Sequence, residues 1–238
     1  MTQDHIVKSF DAELEQLDRR IAEMGGLAES QLAQAVEALV KRDQALADRV
    51  VATDRRLDAA EDQIDAFAVQ LLARRQPMAK DLRAVIVALK TASILERIGD
   101  YAKNIAKRTT ALAQSPPIGS AAAVARMARL VQEMIKTVLD SYLARDPAGA
   151  RHVRQRDVEV DALHTSLFRE LLTYMMEDPR NITPCTHLLF VAKNIERIGD
   201  HATSIAEKVI YLVEGHPPTE ERPKGDASST TVVAPGDR

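Results

Sequence analysis

Glu96-Arg97-Ile98-Gly99-Asp100 recurs as Glu196-Arg197-Ile198-Gly199-Asp200. Each copy sets a glutamate and an aspartate four positions apart, and on a helix residues i and i+4 share a face. A second acidic pair, Asp54 and Asp58, recurs as Asp157 and Asp161. Clustered carboxylates are hard oxygen donors. They suit magnesium, calcium, manganese or iron rather than a closed thiolate zinc site. Two other uses of the same acids stay open at this level. They can form a solvated helix face, or they can pair internally with Arg97, Arg197, Lys103 or Lys107.

The spacing of the pairs brings them together if the chain folds into hairpins. The midpoint between Asp54 and Asp100 is Pro77, and so is the midpoint between Asp58 and Glu96. In the second half both midpoints fall between Asp178 and Pro179. An antiparallel hairpin turning at each proline sets every Asp pair level with its Glu/Asp pair. Four carboxylates per half then converge: Asp54, Asp58, Glu96 and Asp100 in the first, Asp157, Asp161, Glu196 and Asp200 in the second. They continue the apolar stripes of Leu82, Val85 and Leu89 and of Leu189 and Ala192, where unpaired negative charge is costly. Something positive must neutralise them. Glu61 and Asp65 extend the first acidic stripe, and His164 and Phe168 stand at the equivalent positions of the second. Gly99 and Gly199 each weaken a helix, so a close approach at those points is expected.

The elements that carry these residues read as helices. Ile6, Phe10, Leu14, Leu17, Ile21 and Met24 step by three and four, and the pattern resumes at Leu32, Val36 and Leu39. Between the two runs, Gly25-Gly26 predicts a kink or close packing. A second helix starts at the N-cap Asp43 and runs to about Gln76, where Pro77 breaks it or opens the next helix. The third ends near Gln114, followed by the linker Ser115-Pro116-Pro117-Ile118-Gly119. A fourth helix is marked by Val124, Met127, Val131, Met134, Val138 and Tyr142. The fifth is capped by Asp146-Pro147 and ends at Asp178-Pro179, and the sixth ends near Gly215. The expected fold is all-α: two tandem three-helix bundles over residues 1–114 and 120–215, a linker at 115–119, and a tail at 216–238 that composition leaves without structure.

Composition narrows the function. Apolar residues make up 45% and aromatics 3%, with no tryptophan, which is a helix-forming vocabulary able to bury a core. A net charge of −3 with both signs interleaved argues against nucleic-acid binding. The single cysteine, Cys185, forms no internal disulfide and suits a small core position in a reducing compartment. The N-terminal stretch has no apolar signal core, and no uncharged run approaches the roughly 18 residues needed to span a bilayer. A cytoplasmic protein is expected.

The duplicated pentapeptide, together with Met24-Gly25-Gly26, Arg75-Gln76-Pro77, Asp81-Leu82-Arg83 and Tyr174-Met175-Met176-Glu177-Asp178, resembles the PhoU family over about residues 5–215. The family comprises accessory proteins of bacterial phosphate-specific transport. The resemblance implies multinuclear metal clusters of iron, manganese or magnesium on the eight carboxylates above. Both helix-two pairs here are Asp-x-x-x-Asp. It further implies a non-enzymatic, often homodimeric adaptor that negatively regulates phosphate uptake and phosphate-starvation signalling. Its implied partners are the phosphate ABC transporter ATPase and the sensor histidine kinase of a two-component system, and it meets the membrane only through them. The competing reading is a carboxylate-cluster metal-dependent hydrolase or oxidase, since such clusters can activate water or oxygen. No phosphate-binding loop, nucleophile elbow or duplicated Glu-x-x-His motif supports it.

Overall fold

The computed structural model describes residues 2–222, 225–226 and 228–231. Among them the chain forms six α-helices and two short 3-10 turns, with no strand. The helices are α1 (Thr2–Lys41), α2 (Gln44–Arg75), α3 (Ala79–Ala113), α4 (Ala121–Ala144), α5 (Pro147–Glu177) and α6 (Ile182–Glu214). The all-α expectation holds, and the turns follow from local chemistry. Asp43 caps α2 by accepting from the Leu46 amide. Asp146 caps α5 by accepting from Ala148 and Gly149, with Pro147 at the first helical position. Each cap satisfies amide groups that the first turn leaves free. Gly215 closes α6 at φ 86°, in the left-handed region that glycine enters without steric cost.

Pro77 lies in neither helix. α2 ends at Arg75, α3 begins at Ala79, and the proline sits in the connection between them. The Gly25-Gly26 pair does not interrupt α1. A Cβ on Gly25 would come within 2.5 Å of Leu139 Cδ1, so that glycine lets α1 and α4 approach. Gly26 faces open space.

α1, α2 and α3 pack on one another, as do α4, α5 and α6. The two bundles then join along α3 with α6 and α1 with α4. Both seams are antiparallel. Tyr101 stacks on His201, Arg108 meets His187 and Phe190, and Arg83 lies over Tyr211. Tyr142 and Arg145 at the end of α4 reach back to Asp18 in the first half of α1. Buried residues such as Leu17, Ile21, Leu57, Leu95, Ile98, Met134 and Ile198 belong to one continuous core. The two bundles are thus fused back to back, and their α2–α3 and α5–α6 hairpins carry the acidic residues.

Part of the tail is ordered against the second bundle, contrary to what its composition suggests. Arg154, buried on α5, donates to the Glu220 carbonyl at 2.9 Å, and Ser228–Thr230 forms a 3-10 turn beside α5. Residues 223–224, 227 and 232–238 lie outside the described residues.

The paired glycines of the repeat have unequal surroundings. A Cβ on Gly99 would meet Leu57 Cδ2 at 2.9 Å and Gln31 Oε1 at 3.1 Å, both on buried side chains. On Gly199 the nearest atom is Val160 Cγ1 at 3.5 Å, an ordinary contact. Replacing a mid-helix glycine by alanine favours the helix by roughly 1 kcal/mol, whereas overpacking costs about 1–3 kcal/mol. Gly199→Ala should therefore be neutral or stabilising by up to about 1 kcal/mol, and Gly99→Ala destabilising by about 1 kcal/mol or more. Urea unfolding midpoints check this; equal shifts of the two variants would contradict it.

Candidate functional site

On the first bundle, α2 and α3 bring Asp54, Asp58, Glu61, Glu96 and Asp100 to one face. Asp54 is buried, Asp58 is exposed, and Glu61, Glu96 and Asp100 are half-buried. Lys103, one turn beyond Asp100, places its Nζ 2.5 Å from Asp54 Oδ2 and 2.5 Å from Asp100 Oδ1. Gln31 reaches over from α1 and donates to Asp54 Oδ1 at 3.0 Å. Burial pushes the Glu96 carboxyl up to about 7, helped by the negative charges of Asp100 and Glu61, and its protonated form hydrogen-bonds to Asp100. Burial, reinforced by Asp65, also raises Glu61.

On the second bundle, α5 and α6 bring together Asp157, Asp161, Glu196 and Asp200. Asp157, Asp161 and Glu196 are all buried. Asp161, Glu196 and Asp200 line an open cavity of about 310 Å³ with Lys193, Arg222 and Asp226. Arg222 Nε donates to Asp157 Oδ2 at 2.9 Å, and its Nη2 bridges Asp157 and Asp200. The Gly225 amide donates to Asp161 Oδ2 at 2.7 Å. Lys193 Nζ lies 2.9 Å from Glu196 Oε1 and 3.4 Å from Asp226 Oδ2. Glu196 Oε2 is buried with no hydrogen-bond partner. His164 is buried nearby, its Nδ1 3.5 Å from Asp226 Oδ1. Burial raises the Asp157 carboxyl to about 6 against the opposing pull of Arg222, and burial also raises Glu196 despite Lys193.

A family model described as the PhoU domain matches this chain twice, over residues 21–109 and 124–209, one match on each bundle. The chain belongs to the PhoU family. A PhoU homolog of Rhizobium meliloti (strain 1021), named a phosphate-specific transport system accessory protein, is 55% identical over 231 residues, covering 97% of this chain and 98% of that protein. A homolog of the same name from Caulobacter vibrioides (strain NA1000 / CB15N) is 50% identical over 227 residues, covering 95% and 99%. The crystal structure of PhoU from Pseudomonas aeruginosa superposes with a TM-score of 0.83 at 42% identity, over 87% of this chain and 100% of that one.

Within this PhoU fold, the hairpin geometry brings each predicted set of acids to one face. Asp54 and Asp100 share Lys103, Asp157 and Asp200 share Arg222, and Glu96 interacts with Asp100 and Asp58. Leu82 is 41% exposed, so the stripe continued by Glu96 and Asp100 is a half-buried margin of the core. Lys103 is among the internal partners visible in the sequence. Lys193, Asp226 and Arg222 are not. One signal for Arg222 was present: the residue equivalent to Lys103 is Thr203, so the second acidic set lacks a lysine at that place.

By donor type these residues fit a hard cation. They are carboxylate oxygens, those of Glu96, Asp157 and Glu196 with raised proton affinity, and one, Glu196 Oε2, is buried and unsatisfied. Among the described residues, however, no three His, Cys, Asp or Glu side chains are grouped to hold an ion. Instead, the Lys103 ammonium joins Asp54 to Asp100, and the Arg222 guanidinium joins Asp157 to Asp200.

The raised Glu96 sets a pH dependence. Its carboxyl titrates near 7 in the folded chain and near the ordinary 4.5 when unfolded. Between those values the folded chain binds the extra proton, so this group's stability contribution falls as pH rises from about 4.5 to about 7 and stays low above that. Glu96→Gln, a neutral donor to Asp100, should therefore stabilise chelator-treated protein more at pH 8 than at pH 5. Urea midpoints at the two pH values measure it; the same gain at both would contradict the raised carboxyl.

Proposed function

We propose that this chain is a non-catalytic accessory protein of a phosphate transport system, acting as a negative regulator of phosphate uptake and phosphate-starvation signalling. The observation that carries the reading is the 55% identity, nearly end to end, with a relative named as such an accessory protein. In this reading it is a cytoplasmic homodimer whose helical faces link the ATPase of a phosphate ABC transporter to a phosphate-sensing histidine kinase. No described helix is long and apolar enough to cross a membrane, which is compatible with reaching a membrane-embedded transporter by docking.

Asp54, Asp58, Glu96 and Asp100 would hold hard cations on the first bundle, and Asp157, Asp161, Glu196 and Asp200 on the second, with iron, manganese or magnesium as the candidates. Bound cations would supply positive charge that neutralises the acids and ties the two helices of each hairpin. The chain's own residues do the rest. The hairpin turns position the acids, and Gln31 orients Asp54. The hydrolase or oxidase alternative needs a face open to substrate; on the second bundle Arg222, Lys193 and Asp226 line that face.

The test is a deletion strain complemented with the wild-type gene or with a Glu96→Ala/Asp100→Ala/Glu196→Ala/Asp200→Ala variant. Deletion should switch on phosphate-starvation reporters in phosphate-rich medium, and the wild type should restore repression. Reporters that stay off after deletion would contradict the regulatory reading. Protein purified from the complemented strains without chelator should carry metal in the wild type and much less in the variant. Equal metal content would contradict the carboxylate assignment.

A further inference from the structure

We infer that the C-terminal segment is a built-in ligand of the second acidic cluster, with the Arg222 guanidinium standing where a cation would otherwise sit. The internal repeat shows why a ligand is needed there. In the first bundle α3 carries its own cation, Lys103, one turn beyond the pentapeptide; α6 carries Thr203 at the equivalent position. The Thr203 hydroxyl instead bonds its own helix, donating to the Asp200 carbonyl at 2.7 Å. Asp157 and Asp200 correspond to Asp54 and Asp100, and they are bridged by Arg222 as the first pair is bridged by Lys103. The same role is filled from two unrelated places in the chain.

The segment is fastened at more than this one point. Arg154 holds the Glu220 carbonyl at 2.9 Å on one side of Arg222. On the other side, the Gly225 amide bonds Asp161 at 2.7 Å, and Asp226 lies 3.4 Å from Lys193. Gly225 lies against Asp161, whose Cβ would be in ordinary contact with a Cβ there at 3.4 Å. Beneath the segment, Glu196 Oε2 is buried and unpaired beside the cavity that Arg222 and Asp226 help to line. The covering explains a difference between the repeats: Asp161 is buried, whereas its counterpart Asp58 is exposed. The guanidinium carries several donors in one plane, so Arg222 Nε and Nη2 both reach Asp157 while Nη2 also reaches Asp200.

This inference rests on the cation binding proposed above for one of its consequences. The two clusters are unequal: the first is open at Asp58 and Glu61, whereas the second accepts a divalent cation only in competition with Arg222. The segment would leave when the cation enters.

The test uses the full chain stripped of metal. Exchange of the Gly225 amide, followed by NMR, should be at least about 10-fold slower in the wild type than in Arg222→Gln, the loss expected for charge-assisted hydrogen bonds. Asp157→Asn/Asp200→Asn should release the amide in the same way. Mn²⁺ titrated calorimetrically should bind Arg222→Gln about 10-fold more tightly than wild type, with the difference abolished by Asp157→Asn/Asp200→Asn. Equally fast Gly225 exchange in wild type and Arg222→Gln would overturn the docking. Protected Gly225 with identical Mn²⁺ affinities would overturn the competition. Protected Gly225 in the wild type alone, with no Mn²⁺ binding to any variant, would uphold the docking and defeat the cation reading on which the competition rests.

Discussion

A lysine ammonium shared by Asp54 and Asp100, and an arginine guanidinium shared by Asp157 and Asp200, sit where two sets of like charges meet the margins of one helical core. The rest of the molecule depends on that neutralisation. Carboxylates packed this closely, some of them buried, repel one another and lose hydration. The raised Glu96 and Asp157 carboxyls show that the repulsion and desolvation are only partly relieved.

The duplication gives each bundle the same hairpin, but the two copies have diverged at the points that matter for charge. Lys103 is matched by Thr203, Glu61 by His164, and Gly99 is crowded where Gly199 is not. The antiparallel seams of α3 with α6 and α1 with α4 fuse the copies into one core. The clusters are thereby held on separate hairpins of a single body. Equivalent hairpins thus carry acid sets that differ in burial and in the cation that bridges them, without any difference in fold.

Much of this was legible in the amino-acid order. Helices rise by a constant amount per residue, so equal sequence distances from a proline turn become equal heights in a hairpin, and the acids meet as their midpoints require. The caps at Asp43 and Asp146 and the closure at Gly215 follow from side-chain and backbone chemistry within a few residues. Pro77 was less decidable, because a proline is equally at home in a connection and in a first helical turn. Arg222 was not legible. Its neighbours have no apolar period, and what places it is a pair of carboxylates more than twenty residues away. Only the missing lysine at Thr203 hinted that the second set needed a cation from elsewhere.

The most direct measurement is a double-mutant cycle between Lys103 and Asp54 in metal-free protein, read from urea unfolding of Lys103→Met, Asp54→Asn and the double variant. If neutralisation by the chain's own cation holds the first cluster together, the two changes will couple favourably by about 1 kcal/mol or more, the double variant being less harmed than the singles predict. Additive effects within about 0.3–0.5 kcal/mol would mean that the ammonium and the carboxylate do not depend on one another. That result would remove the interaction on which this account of the acidic clusters stands.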